Sequence, residues 1–236
     1  MRLLLLSLSL TYIITLASVD VHVGHEDRKI QTPGGSSIFL HSIIGTQVSE
    51  NSKGKNDIVL LHGAKFSAAT WEKLGTIKLL ANEGYRVFAF DLPGGKGVTR
   101  VEYNGEGAGE EAPEQLLNSI MESYGISNSI IISPSMSGRY SLPYIQRYSD
   151  RVKGYVPIAP TIPPGYNINS IDASFPALVI WGQNDTMGKE RSKIFAELKG
   201  MKEMLEIPRA SHPCYLDEPG IFHTALISWV RKVSPN

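Results

Sequence analysis

Three residues that lie far apart in the sequence, Ser135, Asp185 and His212, are of the types that together activate a serine nucleophile. A serine hydroxyl is a poor nucleophile at neutral pH, so it needs a base within hydrogen-bond reach and a third group that orients the base. Serine, acid and histidine follow one another in the order found in one large group of catalytic triads. The pattern predicts acyl transfer through an acyl-enzyme, provided that the surrounding elements bring the three side chains together.

The stretch around Ser135 predicts a strand, a tight turn and a helix. Residues 130–132 are isoleucines, and large apolar and aromatic residues recur at helical spacing from Tyr140 onwards. This is the context of a nucleophile elbow, usually written G-x-S-x-G, in which the flanking positions must be small. Ser133 and Ser137 stand at those positions and are small enough. Taken alone, the turn fits an ordinary strand-to-helix loop equally well.

The acid and the histidine each follow a predicted strand. Asp185 comes after the apolar run at 177–181, and it could alternatively be a turn residue or cap the helix that begins near Met187. His212 comes after the last predicted strand, where the alternative is an ordinary surface histidine. We expect Asp185 to hold the Nδ1 proton of His212 and Nε2 to accept the proton of Ser135. Five further histidines do not fit the triad order: His22, His25, His41, His62 and His223.

Two backbone N–H groups are predicted to bind the oxyanion that forms in such a reaction. One belongs to Met136, directly after the serine, and the other to Ala64, in the turn at 60–65 that follows the first parallel strand. His62 in this turn is expected to be structural. Lys65 could either reach a substrate carboxylate or be a solvent-exposed lysine.

Other polar residues receive structural interpretations. We interpret Asp91 as a turn residue, because it ends a strand too early in the chain order to be the triad acid. Cys214 is interpreted as a packing residue, and as the single cysteine it excludes an internal disulfide and a cysteine-based zinc site. We expect no bound metal or resident cofactor. Asn184 lies in the glycosylation sequence Asn-Asp-Thr beside Asp185, and we expect it to stay largely unmodified.

Composition and the N-terminus bear on partners and compartment. Lys and Arg total 23, as do Asp and Glu, and no basic stripe is present, so nucleic acid is not an expected partner. Residues 1–17 combine Arg2 with an apolar run and predict a signal peptide or signal anchor, followed by one domain at 18–236. We expect a secreted or type II single-pass membrane protein in the secretory pathway, or a cytoplasmic one if this leader does not function.

The rest of the chain predicts an α/β fold. An antiparallel opening at 19–55 precedes alternating strands and helices, which indicates a mainly parallel sheet flanked by helices on both faces. Only residues 159–176 separate two strands where a lid domain would fit, so we expect a shallow site for short acyl groups. Residues 102–114 are rich in Gly and Glu and predict a surface loop. The other predicted strands are 58–61, 85–90, 129–132, 154–158, 177–181 and 204–207, and the helices are 66–82, 113–124, 137–148, 187–199 and 217–233.

Several specific motifs make the chain resemble the α/β-hydrolase domain-containing protein 14 family from about residue 28 onwards. They are Leu-Leu-His-Gly at 60–63 with Phe66 and Trp71, Asp-Leu-Pro-Gly at 91–94, Ser-Pro-Ser-Met-Ser-Gly at 133–138, Tyr-Ser-Leu-Pro at 140–143, Val-Pro-Ile-Ala-Pro at 156–160, and Ser-His-Pro-Cys-Tyr-Leu-Asp at 211–217. The resemblance implies an eight-stranded α/β-hydrolase sheet and a triad at Ser135, Asp185 and His212. It also implies activity on small acyl esters.

The resemblance further implies two branches of the family. One is cytosolic and is associated with removing acetyl groups from lysine, with coenzyme A as acyl acceptor. The other carries an N-terminal membrane segment, and residues 1–17 make this chain similar to that branch. Residues 95–99, Gly-Lys-Gly-Val-Thr, depart from the Gly-His-Ser that such hydrolases commonly have after Pro-Gly, which leaves substrate preference open.

The leading hypothesis is therefore a serine hydrolase that acts on small acyl esters or acyl-lysine. The alternative is a non-catalytic protein-interaction module on the same fold, because fold does not dictate function. A third hypothesis is a membrane-tethered scaffold with vestigial activity. A protein partner is compatible with each of the three.

Overall fold

The computed structural model describes residues 20–47, 55–97, 99–103, 111–171 and 174–235. The predicted leader at 1–17 lies outside these residues, so the signal peptide or anchor stays a prediction. Across the described ranges, no helix has the length and apolar character needed to cross a membrane.

A single twisted sheet organises the described chain. Its strands are β1 (Val21–Gln31), β2 (Ser36–Gln47), β3 (Asp57–Leu60), β4 (Val87–Phe90), β5 (Arg100–Tyr103), β6 (Ser129–Pro134), β7 (Val152–Ile158), β8 (Ala177–Gly182) and β9 (Lys202–Ile207). They lie in the order β1-β2-β4-β3-β6-β7-β8-β9, and β5 pairs with β2. The neighbouring strands in the series β4-β3-β6-β7-β8-β9 pair in parallel. By contrast, β2 pairs antiparallel with β1, β4 and β5. The mainly parallel α/β-hydrolase sheet is confirmed.

Helices cover both faces of this sheet. They are α1 (Ala68–Lys73), α2 (Thr76–Asn82), α3 (Pro113–Ser123), α4 (Gly138–Arg147), α5 (Thr186–Ser192), α6 (Cys214–Asp217) and α7 (Pro219–Val233). Successive side chains of a strand point to opposite faces. In β6, Ile131 therefore packs in the core that includes residues of α3 and α4, while Ile130 and Ile132 pack in the core that includes α1, α2 and α7. Because the central strands are buried on both faces, their sequences are continuous apolar runs.

Several details differ from the sequence prediction, and the main ones are these. The predicted helix at 66–82 is two helices, because Gly75 adopts a left-handed φ of 81° that ends α1. The predicted helix at 187–199 is α5 followed by a 3₁₀ turn at Lys193–Glu197. The segment at 102–114 was predicted as a loop, but its first residues belong to β5. With β5 the sheet has nine strands, whereas the resemblance implied eight.

The parallel strands place their carboxyl ends at one edge of the sheet, where ligands bind in open α/β folds. Ala64 follows β3, Ser135 follows β6, Asp185 follows β8 and His212 follows β9. Between β7 and β8, the only helical element among the described residues is a 3₁₀ turn at Ile168–Ser170. Residues 172 and 173 are not among the described residues. No lid helix of the described chain covers this edge.

Candidate active site

Ser135 lies at the tip of a sharp turn between β6 and α4. Its φ is 49°, a left-handed conformation that costs energy in any residue with a side chain. The turn is held from outside, because the N–H of Thr161 donates to the Ser135 carbonyl at 2.8 Å. Gly138 permits this approach, since a Cβ there would lie 2.5 Å from the carbonyl oxygen of Thr161. The backbone is that of the predicted elbow.

The serines that replace the usual glycines form a buried chain of hydrogen bonds that sequence reasoning missed. Ser137 donates to the carbonyl of Pro134 at 2.8 Å, so its single proton is used there. The contact of 2.9 Å between Ser133 and Ser137 therefore has Ser133 as donor, and Ser133 accepts from Ser141 at 2.6 Å. Ser141 in turn accepts from Tyr155 at 2.9 Å. The chain ties β7, α4 and β6 to the elbow.

The three predicted triad residues are in contact. His212 Nε2 lies 2.9 Å from Ser135 Oγ, and His212 Nδ1 lies 2.5 Å from Asp185 Oδ2. A carboxylate beside Nδ1 fixes the ring proton on that nitrogen, so Nε2 is free to accept the serine proton. Asp185 is buried, whereas 41% of the His212 side chain is exposed. The imidazole is therefore open to solvent, whereas the carboxylate beside it is not.

Asp185 makes one contact that fits a helix cap and another that lies beside the candidate histidine. Its Oδ1 accepts the N–H of Gly188 at 2.9 Å and so caps α5, and its Oδ2 contacts His212. Gly188 is required at this cap, since a Cβ there would lie 2.1 Å from Oδ2. The cap holds the carboxylate in the orientation that the histidine contact needs.

Polar side chains that sequence reasoning did not assign to the site hold the loop that carries His212. Arg209 has a left-handed φ of 61°. Its N–H donates to the side-chain oxygen of Gln183 at 2.9 Å, and its carbonyl accepts from the side-chain amide of Asn184 at 3.0 Å. Farther along, Asp217 accepts from the backbone N–H and the hydroxyl of Ser211 at 2.7 and 2.5 Å. The only sequence signal for these roles was the position of Gln183 and Asn184 directly before Asp185.

The predicted oxyanion donors lie beside Ser135. Ala64, Ser135 and Met136 line one cavity, and the Ala64 N–H has no hydrogen-bond acceptor within the described part of the chain. His62 fixes this turn, because its Nδ1 donates to the Gly63 carbonyl at 3.0 Å and its Nε2 accepts the Leu92 N–H at 2.7 Å. Burial lowers the pKa of His62, which favours the neutral ring that this pair of bonds requires.

Two cavities meet at Ser135 and share Ala64. One has a volume of about 450 Å³ and is lined also by Pro93, Gly94, Met136, Arg139, Tyr140 and Thr161. The other has a volume of about 280 Å³ and is lined by residues that include Lys65, Phe66, Ile158, His212, Pro213 and Tyr215. The second is mostly apolar and contains the histidine, whereas the first carries an arginine.

The remaining candidates have structural positions. Asp91 Oδ1 accepts the N–H of Ala68 at 2.6 Å, at the start of α1. Cys214 is fully buried, and burial raises the pKa of its thiol to about 12. Lys65 is exposed at the apolar cavity. The described residues contain no group of three or more His, Cys, Asp or Glu side chains arranged to hold a metal ion.

The loop after β4 owes its glycines to close packing. A Cβ on Gly95 would lie 2.1 Å from the ring of His62, and a Cβ on Gly97 would lie 2.1 Å from the carboxylate of Asp91. Within the segment that departs from the common Gly-His-Ser sequence, Gly95 therefore packs tightly against His62, and Gly97 against Asp91.

Comparison with known proteins agrees with this architecture. Residues 57–173 match the family model described as the alpha/beta hydrolase fold. A CIB-like hydrolase from Thermoplasma acidophilum superposes with a TM-score of 0.70 at 21% identity, over 89% of this chain and 100% of that one. An esterase from Thermogutta terrifontis gives 0.66 at 18% identity, over 89% and 99% of the two chains. The chain has the α/β-hydrolase fold.

Sequence relatives define the family more narrowly. ABHD14B of Homo sapiens, provisionally designated a protein-lysine deacylase, is 33% identical over 89% of this chain and 97% of its own length. Protein ABHD14A of Danio rerio is 35% identical over 92% of this chain and 78% of its own. The chain belongs to the α/β-hydrolase domain-containing protein 14 family, as its motifs predicted.

Proposed function

We propose that this hydrolase uses Ser135 as a nucleophile to remove small acyl groups from esters or acyl-lysine through an acyl-enzyme. One observation carries the proposal: the continuous hydrogen-bonded line from Asp185 through His212 to Ser135, at 2.5 and 2.9 Å. A serine, a base in reach of it and a carboxylate that orients the base are the parts that nucleophilic acyl transfer requires.

In the acylation step, Ser135 Oγ attacks the substrate carbonyl carbon and its proton passes to His212 Nε2. The carbonyl π electrons move to oxygen, and the N–H groups of Ala64 and Met136 stabilise the oxyanion. When the oxyanion collapses, the bond to the leaving oxygen or nitrogen breaks and His212 gives its proton to that atom. Asp185 keeps the imidazolium oriented and stabilises its charge.

Deacylation repeats the chemistry with water as nucleophile. His212 takes a proton from water, the resulting hydroxide attacks the acyl carbon, and the bond to Ser135 Oγ breaks as His212 returns the proton to it. The products are a carboxylic acid and free enzyme. Coenzyme A as an alternative acceptor, implied by the family resemblance, stays a prediction; formation of acyl-coenzyme A in place of free acid would test it.

The shape of the site supports short acyl groups. Both cavities beside Ser135 are small, and no described helix between β7 and β8 encloses a long hydrophobic channel. The deacylase designation of a relative adds acyl-lysine to the substrates that we propose. Faster hydrolysis of long-chain than of acetyl or butyryl esters would contradict this part of the proposal.

The test is turnover of p-nitrophenyl acetate together with labelling by a fluorophosphonate, for the wild type and for Ser135→Ala. We expect the substitution to abolish labelling and to lower turnover by orders of magnitude. Ser127→Ala, at an exposed position, is the matched control and is expected to leave both unchanged. Folded wild-type protein that neither labels nor turns over would favour the interaction module instead.

A further inference from the structure

The two cavities beside Ser135 can be assigned to the two halves of a substrate, given the proposed function on which this inference rests. His212 must give a proton to the leaving atom, so the leaving group lies in the cavity that His212 lines. The acyl chain then extends from the shared border at Ser135 and Ala64 into the other cavity. Arg139 is therefore a residue of the acyl side.

Arg139 is placed to reach this cavity. It lies in the first turn of α4, the helix that begins at Gly138 directly after the turn of Ser135. Its side chain is exposed and lines the same cavity as the serine. The long side chain of Arg139 and an acyl group attached to Ser135 would therefore occupy the same cavity.

The charge of Arg139 is uncompensated among the described residues, which is unusual for the arginines of this chain. Seven of the nine described arginines contact a carboxylate, and Arg139 and Arg191 do not; the seven are Arg28, Arg86, Arg100, Arg147, Arg151, Arg209 and Arg231. No acidic residue lines the cavity of Arg139. A plain alkyl chain in this cavity would offer the guanidinium no anion with which to pair.

We propose that the acyl group carries a terminal carboxylate, as in the monoacyl derivatives of dicarboxylic acids, and that Arg139 binds this carboxylate. A guanidinium forms two parallel charge-assisted hydrogen bonds with a carboxylate, a geometry that lysine cannot reproduce. Arg139 is thus a specificity-determining residue. The hydrolysis releases a dicarboxylate and the alcohol or amine that carried it.

The experiment compares kcat/KM for two p-nitrophenyl esters of nearly equal shape, the monoester of adipic acid and the ester of its monoamide. Adipate is used because the carboxylate of a shorter monoester attacks its own carbonyl rapidly in solution. We expect the wild type to favour the carboxylate by about tenfold, and the preference to fall as salt rises. Arg139→Met is expected to abolish the preference and Arg139→Lys to keep part of it.

Arg147→Met is the matched control, because Arg147 lies on the same helix, pairs with Glu114 and is outside both cavities. It should keep the preference and the turnover of p-nitrophenyl acetate. Turnover of p-nitrophenyl acetate without a preference for the carboxylate would overturn this inference alone. A preference that survives Arg139→Met but is lost in Lys65→Met would also overturn it. Absence of all turnover in folded protein would instead overturn the proposed function.

Discussion

Asp185 uses its two oxygens for two tasks, one structural and one in the proposed chemistry. Asparagine at this position keeps an oxygen that can accept the Gly188 N–H, but it removes the negative charge next to His212. We expect Asp185→Asn to lower kcat by about 10⁴-fold, as loss of the orienting carboxylate does in serine proteases, while the protein stays folded. Kinetics with p-nitrophenyl acetate and circular dichroism measure the two effects. Exposed Asp150→Asn is the control, and equal activity of the two variants would contradict the role.

Cys214 lies two residues after His212 and yet is predicted to be inert. Its thiol is fully buried, and burial raises its pKa to about 12, so the reactive thiolate is scarce near neutral pH. We expect iodoacetamide at pH 8 to leave the native protein unmodified and to alkylate it after unfolding in urea. Mass spectrometry before and after denaturation measures this. Rapid alkylation of the native protein would show that the thiol is accessible.

The sequence singled out Ser135, Asp185 and His212, which the structure brings into contact, because each of them follows a strand that could be recognised from its apolar run. It could not show how the site is supported, because the supporting contacts join residues from different elements. Gln183 and Asn184 carry no sequence signal for such a role beyond their position before Asp185, and their contacts with Arg209 depend on how closely the ends of β8 and β9 lie together. The sequence offered a helix cap and a contact with His212 as alternatives for Asp185, and in the structure its two oxygens make both contacts.

At the scale of elements, the hydroxyl chain from Tyr155 to Pro134 joins β7, α4 and β6 beneath the elbow. Ser141→Ala removes the acceptor of the Tyr155 hydroxyl, which has no exposed surface. An unsatisfied buried donor costs about 1–3 kcal/mol, and we expect the free energy of unfolding to fall by that amount. Urea denaturation measures it, with Ser127→Ala as control. No difference between the two variants would mean that the chain adds no stability.

His62 joins the turn after β3 to the turn after β4, and its neutral form is required for both of its hydrogen bonds. Burial lowers the pKa of His62 in the folded state, so below pH 6.5 the unfolded chain binds more protons there. The stability from neutral His62 is present above about pH 6.5 and decreases as the pH falls. We expect the stability difference between wild type and His62→Gln to shrink between pH 7 and pH 5, as measured by urea denaturation. A difference that stays constant or grows would contradict this sign.

Helix boundaries show what the sequence pattern leaves open. The apolar residues keep a helical spacing across 66–82, so the sequence predicts one helix. The break depends on the left-handed conformation of Gly75 alone, which the spacing of apolar residues does not reveal. The ninth strand, β5, pairs with β2 through backbone hydrogen bonds and carries Arg and Glu among its residues, so it lacks the apolar signature of the central strands. Strands buried on both faces were therefore predicted well, and edge strands less well.

At the scale of the whole molecule, the parallel sheet explains why distant residues meet. Residues after β3, β6, β8 and β9 share one edge because these strands run in the same direction. The predicted leader and secretory entry are properties of residues 1–17 and stay predictions.

If the chain does enter the secretory pathway, Asn184 is the site at which a glycan would interfere. Its side-chain amide donates to the Arg209 carbonyl, and the adjacent Asp185 is buried. We expect protein expressed in secretory cells to have the same intact mass as a Thr186→Ala variant, apart from the substitution itself, because Thr186→Ala removes the glycosylation sequence but keeps Asn184. A glycan-sized mass difference between the two would show that Asn184 is modified.

The most direct test of the central claim is to trap the acyl-enzyme. The purified chain is mixed with p-nitrophenyl acetate, quenched in acid during turnover and analysed by intact-mass and peptide mass spectrometry. The account predicts a single added acetyl group on the peptide that contains Ser135, absent in Ser135→Ala. Turnover with no acetyl on Ser135, or with the acetyl on another residue, would contradict it.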